Sequence, residues 1–517
     1  MEPKNLEPEQ WKQDYREFIE ATRRFYNKTL DTKTYKGISG GFGSYAQRGG
    51  NASMLRLRLP GGRLEKDKLA FVAGCIETYG IDLVHFTTCQ TVQLHNLNEK
   101  TVCRIALEAL EHGIITRGGG GDFPRNVMVS PLSGVEKEEY FDVMPYSLAV
   151  SDYLLSRIHG PMLPRKLKVA FSNSAENLTH ATFRDLGFAA RPDGLFDVYS
   201  AGGLGINPSF GIKVADGVEP EQILYYVKAM YDLYLEYGNY ENRAKARSRF
   251  ILEALGGEER YREVFREMLE SALTCGENLR MNPRCVLVSK EGRIPAPDHP
   301  RVIEQKQKGL YSVLYHPVGG SPNPSFFREI YNVIRDMEQV ELRLTPGGAV
   351  YIINCDGREA AGVLKVTEGG AETAFEASAA CIGASVCQQG IGDSQALLKK
   401  LVQASREAQF ADGILPQIHI SGCPSSCGTH QIGELGFQGC IIRIEKAAVP
   451  AWQLSINGCE RQGSERMGEK LGVIPDEKVP DFILALGKAV EASGKGFIRW
   501  QRDNPGALKA VAEKFLV

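Results

Sequence analysis

No uninterrupted apolar stretch in the 517 residues approaches the roughly 20 needed to cross a bilayer as a helix, so no membrane partner is expected. Neither sign of charge dominates. With 61 basic and 63 acidic residues the chain has no polyelectrolyte character, and nucleic acid is not an expected ligand. The opening MEPKNLEPEQWKQDYREF lacks the apolar core of a secretory signal and the arginine-rich, acid-poor composition of a transit peptide, so a cytoplasmic protein is expected. Nucleotide fingerprints are missing as well: the run RGGGGDF at 117–123 has neither the GxxxxGK[ST] nor the GxGxxG pattern leading into a helix. Cysteine, by contrast, is plentiful, and in a reducing compartment its 12 copies are expected as free thiols and metal ligands rather than disulfides.

Four of them stand in two close pairs, Cys381 and Cys387 in ACIGASVC and Cys423 and Cys427 in SGCPSSCGTH. Thiolates bind both zinc and iron–sulfur clusters, and four suffice for either. The pairs enclose five and three residues, not the two of a common zinc knuckle, which tilts the choice toward iron–sulfur. A buried free thiol would account for any single one. It would not explain why Gly383, Gly390, Gly422, Pro424 and Gly428 crowd around them, a composition that lets backbone approach a bulky group.

The chain also repeats itself. MLRLRLPGGRLEKDKLAFVAGCIETYGIDLVHFTTCQTVQLHNL and the segment GLYSVLYHPVGGSPNPSFFREIYNVIRDMEQVELRLTPGGAVYIINC, from Gly309, share one order: an alternating strand, a Gly-Gly turn, a helix and two further strands. A second pair, LPRKLKVAFSNSAENLTHATFRDLGF from Leu163 and LPQIHISGCPSSCGTHQIGELGF from Leu415, shares its LP start, a Thr-His dipeptide and an acidic-LGF end. On that reading Thr179 and His180 match Thr429 and His430. Two repeats in the same order indicate a duplicated two-part unit with a ligand between related domains.

CIGASVC and GCPSSCGTHQIGELGF resemble the two cysteine motifs of the sirohaem-containing sulfite and nitrite reductases, and the resemblance extends over the chain beyond its first forty or so residues. It implies a mixed α+β fold: two ferredoxin-like halves related by a pseudo-twofold axis, and two larger α/β domains clasping one sirohaem. Expected boundaries are an N-terminal arm at 1–51, a composite ferredoxin-like domain at 52–117 and 306–371, a first sirohaem and substrate domain at 118–305, and a cluster domain at 372–517. By the same resemblance Cys381, Cys387, Cys423 and Cys427 hold a [4Fe-4S] cluster and Cys427 also bridges to sirohaem iron. Arg56, Arg125, Lys166 and Lys168 match the family's anion-binding residues, while Arg58, Gln90, Asn126 and Thr429 are expected against the sirohaem. On a strand Lys166 and Lys168 would share a face, as would Arg56 and Arg58.

The implied reaction is the six-electron reduction of sulfite to sulfide, with nitrite reduction to ammonia as the alternative and a non-catalytic metal-binding scaffold as a third reading. The Lys-x-Lys form resembles the sulfite enzymes. With no flavin or nicotinamide fingerprint, electrons are expected from a separate donor, a ferredoxin or a flavoprotein. Three positions depart from the family: Cys89 and His85 where arginines are usual, and Gly347 and Gly348 in place of Asn-Gln. The missing charge could be restored by Arg48 or Lys306, made unnecessary by an amidated haem, or covered by solvent and neighbouring donors, the reading preferred here. His430 is expected to make a structural hydrogen bond like that of its repeat partner His180, and Cys440 and Cys459 are expected as buried thiols. The tyrosine-rich segment from Glu219 to Gly257 reads as an amphipathic core helix broken at Gly238.

Overall fold

The computed structural model describes residues 8–283 and 287–517. Its strands form four sheets, and these fall into two matched pairs. In the first small sheet the antiparallel order is Ser44–Ala46, Ser53–Leu57, Val92–Leu97, Val84–Phe86. In the second it is Val302–Glu304, Tyr311–Tyr315, Val350–Cys355, Glu341–Leu344, with Arg63–Leu64 added at the edge. Those two added residues come from the other half of the chain. Leu64 pairs with Leu342 and Arg63 with Arg343, so the second small sheet is finished only when both halves are present.

The alternation of MLRLRL buries Leu55 and Leu57, and each half then turns on its glycine pair. Gly61, Gly62, Gly319 and Gly320 all have φ between 63° and 71°, where a side chain would be strained. Each turn is also inserted into the opposite half: a Cβ on Gly62 would lie 2.8 Å from the Leu344 carbonyl, and one on Gly320 would lie 3.1 Å from the Phe86 carbonyl. The helices that follow, Lys66–Tyr79 and Ser325–Ile334, bury Leu69, Val72 and Ile76 and Phe326, Phe327, Ile330 and Ile334 into one shared core. The left-handed Gly80 ends the first by donating its N–H to the Ile76 carbonyl.

The two large sheets share one topology. Met128–Val129, Val169–Ser172 and Leu186–Ala190 run parallel, and Phe196–Ser200 and Ile212–Val218 continue antiparallel. Ala379–Ala380, Ile418–Ser421, Leu435–Ile444, Ala447–Ile456 and Glu469–Pro475 repeat this order. Each packs its own apolar core. In the first, the helix Ile223–Tyr237 turns Val227, Met230, Leu233 and Tyr234 inward and stops before Gly238, as its period predicts.

Register corrects one detail of the repeat. Val169 pairs with Leu186 as Ile418 pairs with Leu435, which makes His180 equivalent to Thr429 and Thr179 to Gly428. The shared Thr-His dipeptide is therefore one position out of step. The left-handed backbone agrees, with positive φ at Asn177 and His180 in one copy and at Ser426 and Thr429 in the other. Residues 8–51, within the segment read as an arm, are integrated: the helix Pro8–Tyr26 packs on Glu99–Glu111, and Ser44–Ala46 forms a sheet edge.

Candidate active site

The cysteine loops are built by backbone meeting backbone. A Cβ on Gly422 would lie 2.5 Å from the Gly392 carbonyl and one on Gly428 would lie 2.1 Å from the Ile420 carbonyl, so the glycines bring the loop carrying Cys423 and Cys427 onto its neighbours. Close main-chain approach thus accounts for glycine at 422 and 428. Cys381 accepts the Gly422 N–H at 3.2 Å and lies 3.1 Å from the Ser394 hydroxyl, the surroundings of a sulfur that is to carry negative charge. Arg48 donates to the carbonyls of Cys387 (3.3 Å) and Gly390 (2.6 Å), fixing the loop of the fourth thiol.

Cys427 is accessible, yet protein surrounds its thiol closely enough that burial pushes it up to about 12, with Cys381 adding to the shift and Lys166 and Lys168 opposing it. Accessibility and enclosure together place it on the wall of an internal cavity. Among the described residues no set of three or more Cys, His, Asp or Glu is gathered tightly enough for a single metal ion.

Facing Cys427 are cations from the first half. The backbone of Lys168 donates to Asp185 Oδ2 (2.9 Å), and the Arg125 N–H donates to the Leu167 carbonyl (2.8 Å), so the lysine segment is clamped on both sides. Burial drives Lys166 well below the usual ammonium range, with Lys168 and Arg247 adding to it. Lys168 is also lowered: the Cys89 thiol opposes the shift, but burial and Arg184 outweigh it. Arg56 and Arg125 both donate to the Gly119 carbonyl, at 2.6 and 3.2 Å, and Arg125 also to that of Gly121 at 2.7 Å. The glycine run 117–123 is thus a carbonyl cradle for arginines. Arg125 Nε is buried without a partner, and burial lowers this guanidinium to about 10.

Neighbouring arginines are neutralised, Arg165 by Asp122 and Arg247 by Asp185. Arg56, Arg125, Lys166 and Lys168 have no carboxylate within ion-pair distance among the described residues. Unpaired charges held out of bulk water are costly unless an anion completes them. The residues therefore fit a bound polyanion on this side and an iron–sulfur cluster on the other.

The remaining expected positions are mixed. Gln90 is fully buried, and its amide is consumed by Val129 and Leu344, bracing the two halves. Asn126 donates to the carbonyls of Leu59, Cys89 and Gln90 while its Oδ1 stays buried and unpartnered, so it holds the Cys89 turn. Thr429 meets His419 Nδ1 at 2.8 Å. Arg58 is 4% exposed and donates to the carbonyls of Arg117 and Arg125, its pKa brought to about 10 by burial; it opens not toward the cysteines but onto a cleft of about 470 Å³ beside Trp11 and Asp152. A second cleft, of about 510 Å³, is lined by Glu65, Lys66 and Glu341 and likewise contains none of the cysteines. His430 differs from His180: both its ring nitrogens are buried with no hydrogen bond of good geometry, whereas His180 has two partners.

The departures also find places. His85, lowered to about 4 by burial and Arg56, meets the Ser321 hydroxyl at 3.1 Å. Gly348 has φ 88°, and a Cβ there would lie 3.1 Å from Gly320 Cα, so close approach of the halves accounts for glycine in place of a larger residue. Arg48 is committed to the cluster loop and Lys306 to Glu139, so neither reaches Cys89. Burial alone would push the Cys89 thiol up, but Lys168, Arg184 and Arg56 hold it down to about 6. Thr88 ties this turn to the cysteine half, donating to the Cys427 carbonyl at 2.9 Å. Arg184 and Thr88 escaped the sequence reading. Comparing the copies could have flagged the first, because Gly433 occupies the equivalent place.

A duplicated mixed α/β fold with thiols on one half and unpaired cations on the other defines a redox metalloprotein acting on anions. Residues 45–112 match the nitrite/sulfite reductase ferredoxin-like half domain and residues 120–273 the nitrite and sulphite reductase 4Fe-4S domain. Both matched domains are those of the nitrite and sulphite reductases, a family that depends on sirohaem and a [4Fe-4S] cluster. It is 28% identical over 409 residues to the maize chloroplastic ferredoxin–nitrite reductase, covering 75% of this chain and 70% of that protein. It is 25% identical over 479 residues to sulfite reductase [ferredoxin] 1 of Mycolicibacterium paratuberculosis, covering 86% and 81%. The solved structure of the Mycobacterium tuberculosis NirA protein superimposes with a TM-score of 0.75 at 23% identity, over 92% of this chain and 91% of that one, a likeness of fold. Among the described residues no helix is long and apolar enough to cross a membrane.

Proposed function

We propose that the protein reduces sulfite to sulfide, taking six electrons one at a time from a ferredoxin. The observation that carries this reading is the contact of the two halves at Cys427, whose carbonyl accepts from Thr88 at 2.9 Å, with the carboxylate-free Lys166 and Lys168 near enough to oppose the rise of its thiol. Cys381, Cys387, Cys423 and Cys427 would hold the cluster. Sirohaem, when bound, supplies the iron at which an oxyanion is reduced by electrons passed from the cluster.

The chain's own residues then divide the remaining work. Arg56 and Arg125, fixed by the Gly119 carbonyl, set a positive wall that favours an anion before any bond breaks. Lys166 and Lys168 are held low enough to release a proton more readily than an exposed lysine, and their Nζ groups are the proposed donors to departing oxygens. Three oxygens leave sulfite as water, which favours two adjacent ammonium groups over one. A ferredoxin donor accords with the names of the relatives in both substrate classes.

Nitrite is the second reading, favoured by the many relatives named for it. The purified holoenzyme, reduced by ferredoxin, is assayed for sulfide from sulfite and ammonia from nitrite under the same conditions. Comparable or faster sulfite turnover is expected; negligible sulfide with rapid ammonia formation would transfer the assignment to nitrite.

A further inference from the structure

Arg184 carries a buried charge that the reaction above leaves unused. It follows the short turn Ala181–Phe183 and is only 6% exposed. Its Nε donates to the Thr179 carbonyl at 2.9 Å and one terminal nitrogen to His180 Nδ1 at 3.0 Å. Arginine can only donate, so Nδ1 must accept and the imidazole proton lies on Nε2, which points at Glu460 Oε2 at 2.6 Å. Burial, with Arg184 and Lys168, keeps that imidazole neutral. Glu460 belongs to the other large half, and its backbone carbonyl accepts from Asn177. The second half therefore aims a guanidinium of the first.

Among the described residues no carboxylate pairs with Arg184. Asp185, next in the chain, is spent on Arg247 and Ser248. Glu460 reaches Arg184 only through the histidine. Beyond these two carboxylates, a guanidinium buried this far has only the Cys89 thiol as an anionic neighbour, one it shares with Lys168 and Arg56, and this surplus of positive charge favours a further anion. Its neighbours show where that anion would lie: Cys89 packs against the small core that contains Ala181 of the same turn, and Cys89 and Lys168 both respond to the charge of Arg184. Cys89 is also where the family pattern led one to expect an arginine, and neither Arg48 nor Lys306 can take its place.

We propose that Arg184 is an anion-binding residue at the Cys89 corner of the cavity, holding an oxygen anion there, with His180 and Glu460 as its positioning residues. The anion is a carboxylate of the bound haem or the substrate oxyanion. The proposal rests on the sirohaem reading above and replaces solvent as the explanation for the missing arginine.

The full chain is made as wild type, R184Q, R184K and E460Q in cells that synthesise sirohaem. Haem per chain, the rate of haem loss on dilution, cluster iron and the sulfite titration of the Soret band are measured. If the anion is a haem carboxylate, R184Q loses haem about tenfold faster than wild type with cluster iron unchanged. If it is the substrate, haem retention holds and half-saturation by sulfite rises about tenfold. R184K, which keeps the charge but not the fork, falls between wild type and R184Q, and E460Q moves the same readout by less. An R184Q protein matching wild type in both measurements overturns the proposal, whatever its melting temperature. Should R184Q not accumulate, R184K is judged by the same readouts, and no change in either overturns it. A wild type without a Soret band would remove the functional reading and this one together, whereas a haem-loaded wild type beside an unaffected variant removes this one alone.

Discussion

The two large sheets have the same strand order and register, yet one carries charge and the other sulfur. Cys427 occupies the place of Leu178, an exposed leucine on an equivalent left-handed turn, and Cys423 that of Ser174. The turn geometry is therefore independent of the residue it carries: the same left-handed backbone exists in both copies. What differs is which residue it presents. Duplication gave two walls, one bearing thiols and the other cations.

The comparison breaks most severely at Cys427. Cys427→Ser should remove one of four cluster thiols and lower turnover of either anion at least about a thousandfold, with loss of cluster iron measured alongside. Iron retained without turnover would narrow the role of Cys427 to coupling the two cofactors. Next comes Asp185→Asn, which leaves Arg247 buried without its carboxylate and loosens the N–H of Lys168; urea unfolding should show a loss of about 3 kcal/mol or more. Lys166→Met and Lys168→Met keep the fold and strip the cationic wall, and each should lower kcat/KM for sulfite about a hundredfold. Equal effects on sulfite and nitrite would show a shared anion site, unequal ones a source of substrate preference.

The smallest expected effect is one of pH. Burial raises Glu460 from 4.5 to about 7, against the opposing influence of His419 and Arg184. Folding thus favours its protonated form, so its contribution to stability is intact below about pH 4.5 and declines as pH rises through about 7. With a side chain still 31% exposed, the loss should be about 1 kcal/mol. Melting temperatures between pH 5 and 8 should fall in wild type and flatten in E460Q.

Much of the site was legible because its chemistry is concentrated in short segments. Cysteine spacing pointed to a cluster, whereas the strand expected through Lys166 and Lys168 begins only at Val169, with Leu167 alone bridging to Pro124. The duplication was visible through its glycine turns, whose positive φ few other residues tolerate. What could not be read was which polar side chain would be spent on backbone. Gln90 and Arg58 look like ligands in sequence, but tertiary closure gives their donors to carbonyls of Val129, Leu344, Arg117 and Arg125. Arg184 was invisible for the converse reason. Its freedom depends on Asp185 choosing Arg247 and on Glu460 arriving from far along the chain.

The exchanged edge strand bears on how the molecule is made. Arg63 finds Arg343 across the sheet and binds Glu341, 278 residues further on, at 2.7 Å. At about 5–20 residues per second, the partner of this edge emerges from the ribosome tens of seconds after the edge itself. During that interval Arg63–Leu64, which pairs with no strand of the N-terminal sheet, is left as an unpaired margin, the kind of edge through which nascent chains join one another. The early helices Pro8–Tyr26 and Glu99–Glu111, packed together before the second half exists, give the waiting half a stable body to hold that margin in place.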